Sequence, residues 1–257
     1  MQIAFRVDSS SKIGIGHLIG CRSLAIHLKK QDHQITFFCK NHFGNSNYLI
    51  KNEGFQLIEL KASKNKNLKN SYGNWLGSSQ IEDASQVINS SNKDFHWIIV
   101  DHYGITKKWH KIIKGKIKNI LVIDDIASRS YDCNMILNQN FNLNYRKLYQ
   151  GKVSKETKLF LGPQYTILDP DYIKIKKNKN IKNTVTKSVF VYFGGEDHFN
   201  LSKITVLALG MKEIRHLKIK MVLPQKVNER TKTNLISISK KRGKVELISP
   251  KRSLADT

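Results

Sequence analysis

The stretch Gln2–His17 decides the fold class, and it reads QIAFRVDSSSKIGIGH. Its apolar first half ends at Asp8 and predicts a β-strand. Apolar residues then recur at helical spacing and predict a helix that begins near His17; they are Leu18, Cys21, Leu24, Ala25 and Leu28. A Gly-x-Gly turn between a strand and a helix exposes backbone N–H groups at the positive end of the helix dipole, where a phosphate is stabilised. The alternative interpretation is a tight strand-to-helix turn without a ligand.

A histidine follows this glycine turn directly. Gly14 and Gly16 would let the backbone approach an anion closely, and His17 sits where that anion would lie. An imidazole gains and loses its proton near neutral pH. The stretch therefore predicts an anion site combined with a group that moves protons. Anion binding alone and a structural hydrogen bond are the alternative roles of His17.

The composition of the 257 residues indicates a folded protein with a basic surface. Hydrophobic residues make up 40%, which is enough for real cores, and no apolar run approaches the roughly 18–20 residues that span a bilayer. The net charge is +24, but the lysines are spread along the whole chain and no nucleic-acid-binding motif accompanies them. We therefore expect a solvated lysine-rich surface and no nucleic-acid partner. Attraction to anionic substrates or to a membrane surface is the alternative.

The three cysteines, Cys21, Cys39 and Cys133, are odd in number and embedded in apolar segments. Their spacing matches neither a metal site nor a disulfide framework. We expect reduced core cysteines, no bound metal and, because no signal peptide is visible, a cytoplasmic protein.

Further short apolar strands alternate with helical patterns along the chain. The predicted strands are Gln34–Cys39, Phe55–Leu60, Trp97–Asp101, Asn119–Asp125 and Met135–Asn138. A helical pattern spans Ile81–Ile88, and the polar segment Lys61–Asn74 predicts a loop. This alternation is typical of a parallel sheet covered on both faces, which binds ligands beyond the carboxyl ends of its strands. Four acids are expected at that edge, although each could instead cap a helix: Asp8, Asp101, Asp124 and Asp125.

The pattern restarts after a lysine-rich segment. Residues 173–187 carry six lysines and no acid, which predicts a linker between a domain at 1–172 and a second domain at 188–257. The second domain opens on a strand (Ser188–Phe193), a glycine turn and a helix (Leu201–Ile214), and two more strands follow at Leu217–Leu223 and Val245–Ile248. We therefore predict a GT-B-like α/β fold, in which two Rossmann-like domains face a cleft and the second is incomplete.

Several motifs together resemble the UDP-sugar hydrolases of pseudaminic acid biosynthesis. They follow the order of that family and run through most of the chain: Arg6–Ser9 with Ile13–His17 and Cys21–Ala25; Val100–Gly104 with Trp109; Val122–Ala127 with Arg129, Asp132–Cys133 and Leu137–Asn140; Leu161–Leu168; and Phe193–Asp197 with Asn200–Leu201. The chain departs from the family at its C-terminus. Ser253–Asp256 resembles the start of a segment that, in the family, continues into a glycine-rich turn and helps to hold the nucleotide sugar.

This resemblance implies metal-independent hydrolysis of UDP-2,4-diacetamido-2,4,6-trideoxy-β-L-altropyranose, without a cofactor. Water would attack the anomeric carbon with inversion, and UDP would leave. His17 would be the base, with its pKa lowered by the helix N-terminus. The other expected substrate-binding residues are Gly14, Gly16, Arg22, Asp101, Tyr103, Asp124, Asp125, Gly194, Gly195 and Asn200.

These residues carry different expected roles. Arg22 could balance phosphate charge or pair with an acid. Asp101 and Tyr103 would bind sugar groups, while Asp124 or Asp125 would orient His17. Gly194, Gly195 and Asn200 form a second candidate phosphate cradle, whose alternative is a plain turn.

Two alternative functions and the remaining histidines complete the expectations. A GT-B glycosyltransferase would pass the sugar of a UDP-sugar to an acceptor, and a truncated paralogue would be inactive. The side chain of His102 is expected to point away from that of Asp101. The other histidines are expected at the surface: His27, His33, His42, His96, His110, His198 and His216.

Overall fold

The first of two units is built on a seven-stranded parallel sheet. The structure is a computed structural model that describes residues 1–62, 72–176, 188–194, 197, 199–211, 213–224 and 229–250. The chain divides into the units Met1–Ile173 and Lys174–Thr257, which are described separately. The strands of the first unit are β1 (Gln2–Val7), β2 (Gln34–Lys40), β3 (Gln56–Leu60), β4 (Trp97–Asp101), β5 (Asn119–Ile123), β6 (Met135–Asn138) and β7 (Lys158–Leu161).

The strand order locates the ligand-binding edge of this sheet. The order is β3-β2-β1-β4-β5-β6-β7, and all neighbours are parallel. The chain builds outward in one direction from β1 to β3 and in the other from β4 to β7. Open α/β sheets bind ligands beyond the carboxyl ends of the strands at such a switch point. The residues that follow β1 and β4 therefore lie where a site is expected.

Helices cover both faces of the sheet. They are α1 (Gly16–Lys29), α2 (Tyr48–Asn52), α3 (Gly73–Leu76), α4 (Gln80–Asn89), α5 (Lys107–Ile113), α6 (Tyr145–Leu148) and α7 (Pro170–Lys176), with a 3₁₀ turn at Pro163–Tyr165. On one face Val7 packs in a core with Leu18 of α1, and on the other Val100 packs in a core with Trp109 of α5. Since successive side chains of a strand alternate between faces, neighbouring residues at a strand end are placed on opposite sides of the sheet.

The second unit contains a smaller parallel sheet. Its described elements are β8 (Ser188–Val191), α8 (Leu201–Ala208), β9 (Lys218–Val222), α9 (Glu229–Arg242) and β10 (Val245–Ile248), with the strand order β10-β9-β8. Its buried core includes Val191, Val206, Ile219, Met221 and Leu235.

Element boundaries differ from the sequence expectations at several places. The helix predicted to Ile214 ends at Ala208, and the strand predicted to Phe193 ends at Val191. Strand β7 was not predicted, because its four residues begin with an exposed lysine and show no distinctive alternation. Helix α7 covers residues 173–176 of the predicted linker, and residues 177–187 lie outside the described part of the chain.

No helix among the described residues is long and apolar enough to cross a membrane. The three cysteines are buried and unpaired.

Candidate functional site

A histidine–carboxylate pair lies at the carboxyl edge of the first sheet. His17 is the second residue of α1, and Asp101 is the last residue of β4. The Nδ1 atom of His17 is 2.7 Å from Oδ1 of Asp101, and the His17 side chain is 18% exposed. Because the carboxylate accepts, the proton of a neutral ring is on Nδ1, and Nε2 carries the lone pair. His17 is therefore arranged as a base that can take a proton on Nε2.

The pKa of His17 is raised, which corrects the expectation that the helix N-terminus lowers it. Burial disfavours the charged ring, but the hydrogen bond and the negative charge of Asp101, assisted by Asp125, outweigh burial. The imidazolium that forms when His17 takes a proton is thus stabilised by a neighbouring carboxylate.

Asp101, rather than Asp124 or Asp125, orients the His17 ring. Asp124 pairs with Arg129 at 2.6 Å and accepts the backbone N–H of Ala127 at 2.8 Å. Asp125 accepts the Tyr103 hydroxyl at 2.5 Å. The expectation that one of these two acids orients His17 is therefore wrong. The carboxylate that ends β4 reaches the ring first because β4 lies beside β1, from which the chain runs into α1.

Aromatic rings surround His17. The Tyr103 ring stands edge-on to His17 with centroids 4.6 Å apart, and Trp75 lies at 6.5 Å. Trp75 and Tyr103 stack at 5.5 Å, and Tyr72 packs against both. Burial and the contact with Asp125 raise the pKa of the Tyr103 hydroxyl, which stays protonated and donates. Sequence reasoning missed Tyr72 and Trp75. The available signal was the pair of aromatic residues three positions apart at the end of a polar segment.

The helix N-terminus beside His17 is open. Gly14 has φ +78°, and its N–H donates to Ser10 O at 2.8 Å, so the turn folds back on itself before α1 begins. Among the described residues, no side chain caps α1. A Cβ added at Gly16 would meet no atom within 4 Å. The backbone at Gly16 is therefore accessible to a ligand.

Arg22 pairs with acids. It is buried, and its Nη2 atom is 3.1 Å from Oδ2 of Asp169 while Nη1 is 3.8 Å from Oε1 of Glu53. Of the two roles considered for Arg22, the structure shows the acid pair. This pair fastens α1 to the chain that enters α7.

The second glycine turn already holds a carboxylate. Gly194 has φ +78° and Asn200, the N-cap of α8, has φ +53°. Asp197 accepts the backbone N–H groups of Leu201 and Ser202 at 2.8 and 3.0 Å. Gly195 lies outside the described residues. The diphosphate role of Gly194, Gly195 and Asn200 stays a prediction.

A buried ionic network lies on the opposite face of the sheet. Arg6 donates to Asp8 at 2.6 and 2.9 Å and to Asp83 at 3.0 and 2.7 Å. Lys40 Nζ is 3.3 Å from Asp83, and Trp109 Nε1 donates to Asp83 at 2.9 Å. Although burial opposes ionisation, the Arg6 charge holds the pKa of Asp8 and of Asp83 below its ordinary value. Asp8, expected in a polar cleft, instead belongs to this network.

The burial of three further histidines can be compared with the sequence expectations. The side chain of His102 is buried against Asp8, on the face of the sheet opposite His17. This agrees with the expected alternation of side chains. His110 is fully buried, and burial lowers its pKa to about 3. His42 Nε2 is 3.5 Å from Asp8. The surface expectation is wrong for His110, which lies beside Trp109 in α5, and His42 is only partly exposed.

A pocket of about 480 Å³ adjoins Tyr103. It is lined by Tyr72, Gly73, Gln80, Tyr103, Gly104, Thr106, Ser128 and Arg129. No group of three or more potential metal ligands occurs within the described residues.

Comparison with solved structures defines the class of fold. The chain matches MurG of Acinetobacter baumannii with a TM-score of 0.56 at 8% identity, over 100% of this chain and 68% of that one. It matches the UDP-GlcNAc 2-epimerase of Neisseria meningitidis, bound to UDP-GlcNAc, with a TM-score of 0.56 at 10% identity, over 100% and 74%. The chain has the predicted GT-B-like α/β fold.

Comparison with curated proteins is more specific. The chain is 29% identical over 206 residues to the UDP-2,4-diacetamido-2,4,6-trideoxy-β-L-altropyranose hydrolase of Campylobacter jejuni, which covers 79% of this chain and 63% of the relative. It is also 29% identical over 255 residues to an uncharacterised protein of Methanocaldococcus jannaschii, covering 96% and 48%. The chain thus spans less than two thirds of either relative. No protein-family model matches it. The resemblance predicted from the motifs is confirmed, and the chain is similar to enzymes that process UDP-sugars.

Proposed function

We propose that the protein hydrolyses UDP-2,4-diacetamido-2,4,6-trideoxy-β-L-altropyranose to the free sugar and UDP, a step of pseudaminic acid biosynthesis. The observation that carries the proposal is the His17–Asp101 pair at the uncapped N-terminus of α1. The similarity to the Campylobacter hydrolase over 79% of the chain supports the choice of substrate.

His17 acts as the general base in this proposal. A water oxygen attacks the anomeric carbon, the bond from that carbon to the UDP oxygen breaks, and the configuration inverts. The proton of the water moves to Nε2 of His17, and Asp101 stabilises the imidazolium through Nδ1–H. A positioned base of this kind contributes roughly 10²–10⁴-fold to the rate.

The surroundings of His17 suit the two halves of the substrate. The backbone N–H groups in the first turn of α1, which no described side chain caps, and the helix dipole favour negative charge. The Trp75 and Tyr103 rings offer an apolar wall beside the base, and the adjoining pocket falls within the size range of small-molecule sites.

The test is UDP release from this substrate by the purified chain, without added metal. We expect steady release by the wild-type protein and a loss of at least about 10²-fold in His17→Ala. His96→Ala is the matched control, because His96 is exposed just before β4, at the opposite edge of the same sheet. Equal rates in His17→Ala and wild type would refute the role of His17. Release only when an acceptor is present would identify a glycosyltransferase instead, and no release by any variant would refute the activity of this chain.

A further inference from the structure

The turn His102–Gly104 carries Tyr103 to His17, and several hydrogen bonds hold its backbone, among them one from the Ile105 N–H to the His102 carbonyl at 3.1 Å. The N–H of Gly104 donates to Nδ1 of His102 at 2.9 Å. The carbonyl of His102 accepts from Arg129 at 2.9 Å, and the carbonyl of Gly104 accepts from Gln80 at 2.5 Å. A Cβ at Gly104 would lie 2.6 Å from the carbonyl oxygen of Tyr72, so the turn is also closely packed. The turn therefore fixes the backbone from which the Tyr103 ring extends, and the hydroxyl bond to Asp125 completes the placement of the ring.

The His102 ring connects the turn to the buried network. Its Nε2 atom faces Oδ2 of Asp8 at 3.2 Å, and its side chain is 1% exposed. Asp8 is held as a carboxylate by two contacts with Arg6. Because Nδ1 accepts the Gly104 N–H, the proton of the neutral ring is on Nε2, where the nearby negative charge of Asp8 favours it. Asp8 thus favours the tautomer that the turn needs.

We propose that His102 is a positioning residue, which holds Tyr103 against the catalytic base His17 by accepting the Gly104 N–H in the tautomer that Asp8 favours. The consequence for catalysis rests on the proposed function, whereas the geometric part does not. The charged groups that act on the His102 ring are Asp8, which follows β1, Arg6 on β1 and Asp83 on α4, while Arg129 contacts the His102 carbonyl. Burial outweighs the attraction of Asp8 and lowers the pKa of His102, so the ring stays neutral at neutral pH.

Two substitutions separate the role in positioning from a role in stability. His102→Asn keeps an acceptor for the N–H two residues ahead, as in an Asx-turn, while it loses the contact with Asp8. His102→Leu removes both. The matched control is His110→Leu, because His110 is also fully buried and its Nδ1 also accepts a backbone N–H, that of Asp132 at 3.2 Å.

The first measurement is the NMR resonance of the His17 ring, identified by its loss in His17→Ala. The Tyr103 ring is 4.6 Å away and edge-on, so its displacement changes the ring-current shift at His17. We expect a changed resonance in His102→Leu and a nearly unchanged one in His102→Asn and His110→Leu. This measurement requires no turnover.

The second measurement is the kinetics of UDP release. We expect His102→Leu to lower kcat about 10–100-fold, because Tyr103 is displaced from the base, and to change KM much less, because the nucleotide contacts remain. His102→Asn should restore most of kcat, and His110→Leu should lower stability without this loss.

The two measurements distinguish failure of the inference from failure of the proposed function. A His17 resonance that is unchanged in His102→Leu, or equally changed in His110→Leu, would overturn the positioning role. Equal losses in His102→Asn and His102→Leu would overturn the importance of the Gly104 hydrogen bond. Wild-type protein that releases no UDP, while the resonances behave as expected, would refute the hydrolase and support the positioning role.

Discussion

The two faces of the first sheet carry carboxylates in contrasting environments at the same edge. On the α1 face, Asp101 binds His17, whose side chain is 18% exposed. On the opposite face, Asp8 binds Arg6, and both side chains are fully buried. Asp101 raises the pKa of an imidazole, whereas Asp8 has a permanently charged partner. The comparison shows that the two carboxylates differ in the solvent access and the chemistry of their partners, and the proposed function places proton transfer at the partner that solvent reaches.

The largest expected effect comes from removing a carboxylate from the buried ionic network around Arg6. Asp83→Asn leaves Arg6 with Asp8 alone and removes the carboxylate from Lys40. Removing one partner from a buried ion pair costs about 3–5 kcal/mol, because the other charge stays desolvated. Urea unfolding should show this loss of stability. Glu59→Gln is the control, since the Glu59–Lys51 pair is exposed and contributes about 0–1 kcal/mol. Similar losses in both variants would contradict the contrast.

The next largest effect is expected on the α1 face, at the His17–Asp101 pair. Asp101→Asn removes the charge that raises the pKa of His17 and weakens its orientation, so we expect kcat for UDP release to fall about 10²-fold. A general base works when it is neutral, so activity rises with pH through the pKa of His17. Because Asp101 raises that pKa, the rising limb of the pH–rate profile should move to lower pH in the variant. The profile of kcat/KM measures this shift, and a limb that stays in place would separate Asp101 from the titrating base.

The elements of the α1 face were largely predictable from the sequence, and the ionic network on the opposite face was not. The apolar run before Asp8, the glycine turn and the helical spacing after His17 fix β1 and α1 locally. The acid at the end of β4 was predicted to lie at the same edge, but not to bind His17, because that contact depends on which strands are neighbours. The Arg6–Asp83 pair joins residues 77 positions apart, and no local pattern indicates it. The contact of Asp197 with the N-terminus of α8 was not predicted either, and the role of Gly194 and Asn200 stays a prediction.

The smallest expected effects come from substitutions at two glycines, two residues apart, that precede or begin α1. Gly14 has φ +78°, so Gly14→Ala should cost about 1–2 kcal/mol of stability, although no atom stands in the way of the methyl group. Gly16 is helical and equally open, and alanine is the better helix former there by up to about 1 kcal/mol. Gly16→Ala should therefore leave stability unchanged or higher. Its methyl group would nevertheless stand where an anion approaches the backbone, and UDP affinity measured by calorimetry should fall about tenfold, or roughly 1.4 kcal/mol. Unchanged affinity in Gly16→Ala would show that the glycine turn only connects β1 to α1. His17 would then be a base without an anion site at the N-terminus of its helix.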